Sequence, residues 1–439
     1  MDSDQRSNDW TDMESSAPLP TAAGPVRATV TVPGSKSIAN RALVCAALAR
    51  GTSTLRNVAP GEDTAAMIDC LLALGVRVST SGEVATIEGG DGRVRGGGVL
   101  DARLAGTTSR FMTAVAALGD ATSTVTGGEA LRRRPMSDLH DALRSLGANL
   151  RSDGGCLPVE VARGELSGGV VRLRGDVSSQ FVSALMMIGP LLDDGLRIEL
   201  TTPLVSRPYV AITASVMSSF GASGITVGDR GIGIEPSSYV GCDYHIEADA
   251  SSASYPLAAA AITGGSVRVD GLGEDALQGD ARFADIMESM GCSVERTKSS
   301  TTVTGSNSLR GVDIDMSEIS DLVPTVAAVA ACATSTTRIT GVGFIRRKES
   351  DRIGDLVRGL VAIGCSAVEE DDGLRIEPIP TSTYHGAPLL VHDDHRLAMA
   401  WSLLGLVVPG VSVDDPSVVA NSWPEWWNVR TALLGDVHR

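Results

Sequence analysis

Aromatic side chains make up only 3% of this chain, although 43% of its residues are hydrophobic. The apolar mass is therefore mainly Ala, Val, Leu and Ile, interrupted by 49 glycines, which suits Ala-rich helices and sheets joined by many tight turns. Positive charge is also scarce, and the net charge is −16. We therefore expect neither nucleic acid nor an anionic membrane surface as a partner. Any anion that this chain binds needs a local positive site.

Paired cysteines and long apolar runs are missing as well. The seven cysteines are scattered and form no CxxC pair, so we expect a reduced, cytoplasmic compartment and neither a disulfide framework nor a zinc site. No apolar run reaches the roughly 18 residues that a membrane-spanning helix requires. Residues 1–24 lack the basic and apolar regions of a signal peptide and predict a disordered acidic tail.

One short phrase recurs along the chain. It is found in "LLALGVRV", "LRSLGANL", "MSSFGASGITV", "MESMGCSV" and "LVAIGCSAV". Each copy is typical of the last turn of a helix, a glycine that ends it, and a following strand. The glycines are 70–74 residues apart, at Gly75, Gly147, Gly221, Gly291 and Gly364. This period is too long for a solenoid, whose repeats span about 20–50 residues, and indicates a closed globular arrangement.

An Ala-rich helix opens each repeated unit. These helices are predicted to begin near Ser37, Ser109, Ser178, Ser251, Asp321 and Asp394. Six units mixing helix and strand predict an α/β protein of two three-unit domains, with a boundary near residue 248. Helix N-termini favour anions, so several of them in one cleft would form the positive site that the acidic chain needs. Alternatively, these Ser and Asp residues are only N-caps.

Basic residues accompany these helix starts. They are Lys36, Arg41, Arg110, Arg134, Arg207, Lys348, Arg352 and Arg396. The helix dipole disfavours a cation in the first turn, so burial of an Ala-rich face does not account for them. Each one alone is also compatible with a solvated surface position. Their recurrence in several units favours a shared site for anions.

Nine motifs in order resemble the 5-enolpyruvylshikimate-3-phosphate (EPSP) synthase family over residues 26–435. They are "PGSKSIANRA", "LAGTTSR", "RRPM", "VSSQF", "LVSRPY", "DASSASY", "LQGDARFADI", "RRKESDR" and "DDHRLAM". The resemblance implies the two-domain enolpyruvyl transferase fold: six βαβαββ-like units, three per domain, with parallel helices inside and a two-stranded hinge near residues 32–34 and 246–249. The shikimate-phosphate side would be residues 34–247. The phosphoenolpyruvate side, with the catalytic carboxylates, would be residues 25–33 plus 248–439.

The resemblance also implies an activity. A carboxyvinyl group would pass from phosphoenolpyruvate to the 5-hydroxyl of shikimate-3-phosphate, with release of phosphate, in chorismate and aromatic amino-acid biosynthesis. The residues matched to shikimate-3-phosphate are Lys36, Ser37, Arg41, Ser178, Ser179, Gln180, Ser206, Tyr209, Asp321 and Lys348. Those matched to phosphoenolpyruvate are Lys36, Gly106, Arg134, Gln180, Arg352 and Arg396. Asp321, Glu349 and Lys36 would be catalytic. No metal or organic cofactor is implied, and we expect a monomer.

Three positions depart from the family pattern. Asn421 lies where the family usually has a Lys, and Leu104 and Phe344 lie where some relatives use Asn. Asn421 leaves open a diverged enzyme of secondary metabolism that eliminates phosphate from shikimate-3-phosphate, or a relative of it, without phosphoenolpyruvate. A non-catalytic protein that binds phosphorylated metabolites is a third interpretation. The related UDP-N-acetylglucosamine enolpyruvyltransferases have a reactive Cys near "EALRRRP", and this chain has none there.

Overall fold

The computed structural model describes residues 17–306 and 308–435, in which strands and helices follow the same order in five units and in the first part of a sixth. The first three units contain β1 (Arg27–Thr31), α1 (Lys36–Leu48), β2 (Arg50–Arg56), α2 (Glu62–Ala73), β3 (Arg77–Ser81), β4 (Val84–Gly90), β5 (Val94–Asp101), α3 (Gly106–Ala116), β6 (Gly119–Thr126), α4 (Glu129–Arg132), α5 (Ser137–Ser145), β7 (Asn149–Ser152), β8 (Val159–Ala162), β9 (Gly169–Leu173), α6 (Ser179–Ile188), β10 (Leu196–Leu200), α7 (Arg207–Ser219), β11 (Ile225–Val227) and β12 (Gly231–Ile234).

The last three units repeat this order. They contain β13 (Asp243–His245), α8 (Ala250–Thr263), β14 (Ser266–Asp270), α9 (Phe283–Ser289), β15 (Ser293–Arg296), β16 (Ser300–Thr304), β17 (Asp313–Asp315), α10 (Val323–Ala330), β18 (Thr337–Thr340), α11 (Arg352–Ala362), β19 (Ser366–Glu370), β20 (Gly373–Glu377), β21 (Pro388–Leu389), α12 (His395–Leu404), β22 (Ser412–Val413) and α13 (Trp426–Leu433). Short 3₁₀ helices are Gly189–Leu191, Gly279–Arg282, Ser320–Leu322, Gly343–Arg347, Thr381–Thr383 and Pro416–Asn421. The predicted βαβαββ-like unit is confirmed in five units, whereas the described part of the sixth contains β21, α12, β22 and α13 without a third and fourth strand.

Each four-stranded sheet has the same topology. A unit's first and second strands pair in parallel, and its fourth strand pairs antiparallel with both the second and the third, as in β5-β6-β8-β7. The third and fifth units repeat this order as β9-β10-β12-β11 and β17-β18-β20-β19. In the described part of the sixth unit, β21 and β22 form a two-stranded parallel sheet. The repeated topology is the structural counterpart of the recurring phrase in the sequence.

The first and fourth units exchange their first strands. β1 pairs in parallel with β14, whereas β13 pairs in parallel with β2. The chain therefore crosses twice between the halves of the molecule, just after β1 and just after β13. The two crossings lie side by side, because the N–H of Ser35 donates to the carbonyl of Glu247 and the N–H of Asp249 donates to that of Pro33, both at 2.8 Å. These are the segments predicted to form the two-stranded hinge.

Buried apolar residues form two separate clusters. One contains buried residues between 38 and 246, and the other contains residues between 19 and 32 together with those between 248 and 433. The predicted domains, 34–247 and 25–33 plus 248–439, follow the same division. Their behaviour as two bodies that move about the crossings stays a prediction.

Six Ala-rich helices form the interior of the two halves. They are α1, α3, α6, α8, α10 and α12, and nearly all residues of each are buried. Helices that are apolar or small on every side pack with neighbours all round, as these do. Among the described residues, no helix combines the length and apolar character needed to cross a membrane.

The predicted helix ends are confirmed more closely than the predicted helix starts. All five repeated glycines have φ between 84° and 102°, the left-handed conformation of a helix-ending glycine. Ser178 and Asp394 cap α6 and α12. α3 begins at Gly106, three residues before Ser109, so Ser109 lies inside the helix and is not its N-cap. Ser251 lies inside α8, and Asp249 supplies the cap.

The predicted tail extends too far along the chain. Residues 1–16 of the tail lie outside the described residues. For residues 19–22 the prediction of disorder is wrong: the N–H of Leu19 donates to the carbonyl of Val411 at 2.8 Å, and Arg430 Nη2 donates to the carbonyl of Pro20 at 2.8 Å. Leu19 is buried in the second cluster. One well-placed apolar side chain anchors a segment whose average composition is polar.

Candidate active site

A cavity of about 410 Å³ lies between the two halves, a size that suits small molecules. The N-terminal ends of α1, α3, α6, α11 and α12 all reach it. Every residue matched to a substrate or to catalysis lines it: Lys36, Ser37, Arg41, Gly106, Arg134, Ser178, Ser179, Gln180, Ser206, Tyr209, Asp321, Lys348, Glu349, Arg352 and Arg396. The roles of these residues stay proposals, but the structure brings all of them to one place.

Arg41, on α1, is a buried cation held by neutral groups. Its Nε donates to Thr213 Oγ1 at 2.7 Å, and its Nη2 donates to Ser183 Oγ at 3.1 Å. Its guanidinium lies over the rings of Phe111 and Tyr209, at 5.2 and 5.8 Å from their centroids. Burial lowers the pKa of Arg41 to about 10. A desolvated guanidinium without a carboxylate partner favours an anion nearby.

Arg110, on α3, is a second buried cation of this kind. Its Nη1 donates to the carbonyl of Gly106 at 3.1 Å and to Ser109 Oγ at 2.9 Å, while its Nε has no partner in the described part of the chain. Burial, and then the charge of Arg134, lower its pKa well below the ordinary value. A Cβ on Gly106 would lie 2.7 Å from Arg134 Nη1, so glycine leaves room for the two guanidinium groups.

Asp321, which precedes α10, accepts hydrogen bonds from three cations. Lys348 Nζ lies 2.5 Å and Arg352 Nη1 3.0 Å from Oδ1, and Arg396 Nη2 lies 2.8 Å from Oδ2. The hydroxyl of Tyr209, from the other half, donates to Oδ2 at 3.1 Å. Burial opposes ionisation of this carboxyl, yet the three cations hold its pKa well below its ordinary value. Asp321 is therefore a carboxylate in the cavity as described.

Glu349 is the second carboxylate of the cavity. Its Oε2 accepts from Arg352 Nη2 at 2.7 Å, and its Oε1 lies 3.4 Å from Arg134 Nη1 of the other half. Burial raises its pKa, but the neighbouring cations outweigh burial and keep the pKa well below its usual range. Arg352 is only 1% exposed and also donates to Asp394. Arg352 therefore donates hydrogen bonds to the carboxylates of Asp321, Glu349 and Asp394 and fixes their relative positions.

Hydroxyl groups line the opposite wall. Ser178 and Ser179 lie at the start of α6, and Ser206 precedes α7. The φ of Ser206 is 51°, a left-handed conformation that is uncommon outside glycine. Its N–H donates to the carbonyl of Ser317 in the other half at 2.9 Å, so this strained residue is also a contact between the halves. Gln180 Nε2 donates to Thr107 Oγ1 at 3.2 Å.

Comparisons with known proteins agree with this geometry. The family model described as EPSP synthase (3-phosphoshikimate 1-carboxyvinyltransferase) matches residues 20–429. The chain belongs to the EPSP synthase family. A 3-phosphoshikimate 1-carboxyvinyltransferase of Methanosphaerula palustris is 40% identical, over 93% of this chain and 97% of the relative. One of Trichormus variabilis is 38% identical, over 95% and 99%.

Solved structures give the same result. An EPSP synthase structure from Acinetobacter baumannii aligns with a TM-score of 0.79 and 26% identity, over 95% of this chain and 97% of that one. The predicted fold class and the resemblance stated from the motifs are therefore confirmed. The phosphate-eliminating alternative suggested by Asn421 finds no support among these relatives.

Sequence reasoning missed two groups of this EPSP synthase-family cavity, the buried His395 and the half-buried Asp63. His395 lies directly before Arg396 in "DDHR", and neither ring nitrogen has a hydrogen-bond partner within the described ranges. Burial and the nearby cations, Lys36 first, lower its pKa well below the ordinary value, so the ring is neutral. Asp63, on α2, accepts from Lys36 Nζ at 2.8 Å. Its signal in the sequence, an acid in the first turn of a second helix, is too common to single out.

Three residues considered from the sequence lie elsewhere. Arg207 is not among the residues that line the cavity; it pairs with the exposed Asp229, so its assignment to the anion site is wrong. Leu104 also lies outside the lining, whereas Phe344 is part of it. Asn421 ends the 3₁₀ helix Pro416–Asn421 and lies outside the lining of the cavity as described. Its carbonyl oxygen packs against Gly61, at the start of α2.

Proposed function

We propose that this chain transfers the carboxyvinyl group of phosphoenolpyruvate to the 5-hydroxyl of shikimate-3-phosphate and releases phosphate. The observation that carries this proposal is the state of Arg41 and Arg110. Both are buried beside the cavity, and neither pairs with a carboxylate among the described residues. Two anionic substrates would supply the negative charge that these two arginines do not receive from carboxylates. Membership of the EPSP synthase family supports the choice of substrates.

Shikimate-3-phosphate is assigned to the hydroxyl-lined wall. Ser178, Ser179 and Ser206 supply hydroxyl groups near the starts of two helices, where unpaired N–H groups favour a phosphate. Arg41 and Ser37 lie on the adjoining helix α1. Lys348 and Tyr209 both contact Asp321, so the ring of the substrate would lie between the hydroxyl wall and that carboxylate.

Phosphoenolpyruvate is assigned to the arginine-rich side. Arg134 comes from the first half, whereas Arg352 and Arg396 come from the second. Guanidinium groups match the geometry of a carboxylate or phosphate and hold it with two parallel bonds. Gly106 provides the space beside Arg134, and Lys36 and Gln180 lie within reach of both proposed subsites. Because the arginines come from both halves, this subsite is complete only when the halves are together.

The reaction needs a base and an acid. The oxygen of the 5-hydroxyl bonds to C2 of phosphoenolpyruvate as its proton leaves, and a proton adds to the methylene carbon. The new methyl group then returns a proton as the C–O bond to phosphate breaks. We assign the base to Asp321 and the proton delivery to Glu349.

Substrate charge would prepare Glu349 for its role. In the cavity as described both carboxylates are ionised, because cations lower their pKa values. Phosphoenolpyruvate would pair with Arg134 and Arg352, the same cations that stabilise the Glu349 carboxylate. When these two arginines also pair with the substrate, they stabilise the Glu349 carboxylate less, and the pKa of Glu349 rises. The carboxyl therefore gains the proton that it donates.

Incubation with shikimate-3-phosphate, with and without phosphoenolpyruvate, tests the proposed function. Mass analysis should find an enolpyruvyl product and phosphate only when both substrates are present. Glu349→Gln is a matched variant of nearly the same size, and it should bind both substrates while forming little product. Release of phosphate from shikimate-3-phosphate alone, with no enolpyruvyl product, would refute the proposal.

We also infer that the active form is a monomer in the cytoplasm. Both proposed subsites are built from a single chain, so a second copy is not required to complete them. Analytical ultracentrifugation with active protein should show a species of about 45 kDa, in line with the chain's 45.4 kDa. Activity confined to a larger species would contradict the monomer, and activity in a membrane fraction would contradict the compartment.

A further inference from the structure

Three cations of the cavity lining, Arg174, Arg346 and Lys348, are already paired within the chain. Arg174 donates from Nε and Nη2 to the two carboxylate oxygens of Asp176, both at 3.0 Å. Lys348 is held by Asp321 and Ser320. Each of these cations is therefore largely neutralised before a substrate arrives.

Arg346 is paired in the same way. Its Nη1 donates to Glu369 Oε2 at 2.6 Å and lies 3.3 Å from Asp351 Oδ1. Its Nη2 donates to the carbonyl of Glu370 at 3.1 Å. These contacts hold the guanidinium against its own half of the molecule.

Arg347 differs from these three residues. It lines the cavity and is exposed, and no ion pair or side-chain hydrogen bond joins it to another residue in the described part of the chain. It ends the 3₁₀ helix Gly343–Arg347, in which residues three apart share a face. Phe344 is therefore on the same face, and it also lines the cavity. The helix presents one apolar ring and one unpaired guanidinium to the cavity.

Hydroxyl groups elsewhere in the cavity lining complement this guanidinium chemically. The hydroxyls of Ser178, Ser179 and Ser206 line the same cavity but come from the other half. Hydroxyls and helix N-termini hold a phosphate on one side only and leave much of its charge facing outward. Arg347 comes from the facing half and supplies a fork of donors for the remaining oxygens.

We propose that Arg347 is a specificity-determining residue that binds the phosphate group of shikimate-3-phosphate across the cavity mouth. This inference rests on the proposed function, because it takes the phosphate to lie at the hydroxyl wall. Arg347 selects for the phosphorylated substrate over shikimate itself and adds nothing to the binding of phosphoenolpyruvate. Because the side chain is exposed, salt screens its contribution.

Arg347→Ala tests this inference through calorimetric titration with shikimate-3-phosphate and with shikimate, at low and high salt. We expect affinity for shikimate-3-phosphate to fall by about 5- to 20-fold at low salt, in the range of a charged hydrogen bond that is partly screened. Affinity for shikimate and the KM for phosphoenolpyruvate should stay the same. High salt should reduce the difference between the variant and the wild type in affinity for shikimate-3-phosphate.

Arg151→Ala is the matched control. Arg151 is also exposed, has no ion-pair partner among the described residues and lies outside the cavity lining. Arg151→Ala therefore removes the same single positive charge as Arg347→Ala without removing a cavity residue. Equal affinity of wild type and Arg347→Ala for shikimate-3-phosphate would overturn the inference. A variant whose affinity for shikimate falls as much as its affinity for shikimate-3-phosphate would overturn it as well. A wild type that binds no shikimate-3-phosphate would instead overturn the proposed function, so the two failures are distinguishable.

Discussion

Gly61→Ala should prevent the two halves from coming fully together. Gly61 precedes α2 in the first half, and an added Cβ would lie 2.8 Å from the carbonyl oxygen of Asn421 and 3.0 Å from Cα of Ser422, both in the second half. These are backbone atoms and cannot rotate away. The φ of Gly61 is −80°, which alanine adopts without strain, so the clash is the only penalty.

The expected magnitude follows from the cost of overpacking. Extra carbon atoms in a well-packed contact cost about 1–3 kcal/mol, which is a factor of about 5 to 150 in an equilibrium constant. The penalty applies only when the halves are in contact. Apparent affinity for phosphoenolpyruvate should fall by this factor, because the subsite needs arginines from both halves. Binding to the hydroxyl wall of the first half should change less.

The assay combines steady-state kinetics with small-angle scattering. Wild-type protein should become more compact with saturating shikimate-3-phosphate, and Gly61→Ala should remain more extended and show a raised KM for phosphoenolpyruvate. Gly24→Ala is the control, because no atom lies within 4 Å of a Cβ at that position. Gly279→Ala probes a second contact between the halves, because a Cβ added at Gly279 would lie 2.7 Å from Pro208 Cβ. Wild-type kinetics and compaction in Gly61→Ala would refute the reasoning.

Three further predictions concern charge. Arg134→Ala and Arg396→Ala should each reduce kcat/KM for phosphoenolpyruvate by about 10- to 150-fold, which corresponds to the free energy of one charged hydrogen bond. Calorimetry showing that these variants lose shikimate-3-phosphate binding first would contradict the assignment of both arginines to phosphoenolpyruvate. Asn421→Lys adds a cation beside the α2 start and should lower the KM for phosphoenolpyruvate; unchanged or slower turnover would show that the missing Lys is already compensated. Asp280→Asn should raise the free energy of unfolding at pH 7.5 but not at pH 4, as urea titrations can measure.

The sign of the Asp280 effect comes from its burial. Burial, and then the charge of Asp321, raise the pKa of Asp280 to about 6, above its ordinary value of 3.8. The folded protein therefore favours the protonated form, and stability falls as the pH rises from about 4 to 6. Asparagine carries no charge at any pH, so an equal gain at both pH values would contradict this explanation.

Local chemistry in the sequence was sufficient to predict the repeating unit. A glycine after the last helical turn has to adopt positive φ, and this requirement does not depend on the rest of the fold. The five repeated phrases therefore marked the ends of real helices. The cations beside helix starts were also predictable, whereas the remaining cavity residues and their roles followed from the resemblance of the motifs to the EPSP synthase family. Arg207 shows the limit of that reasoning, since the same motif placement leads to a surface ion pair with Asp229.

Tertiary structure alone decided how these pieces meet. The exchange of β1 and β13 between units joins residues 239 positions apart (Arg27 and Ser266) and 189 positions apart (Thr54 and Asp243), and no local pattern encodes that pairing. The same holds for the contact between Gly61 and Asn421. The protonation of Asp321 and Glu349 depends on which cations lie within about 3 Å, because Coulomb energies fall with distance and with solvent exposure. Sequence determined which charges are present, and packing determined which of them, such as Arg347, are left without a partner among the described residues.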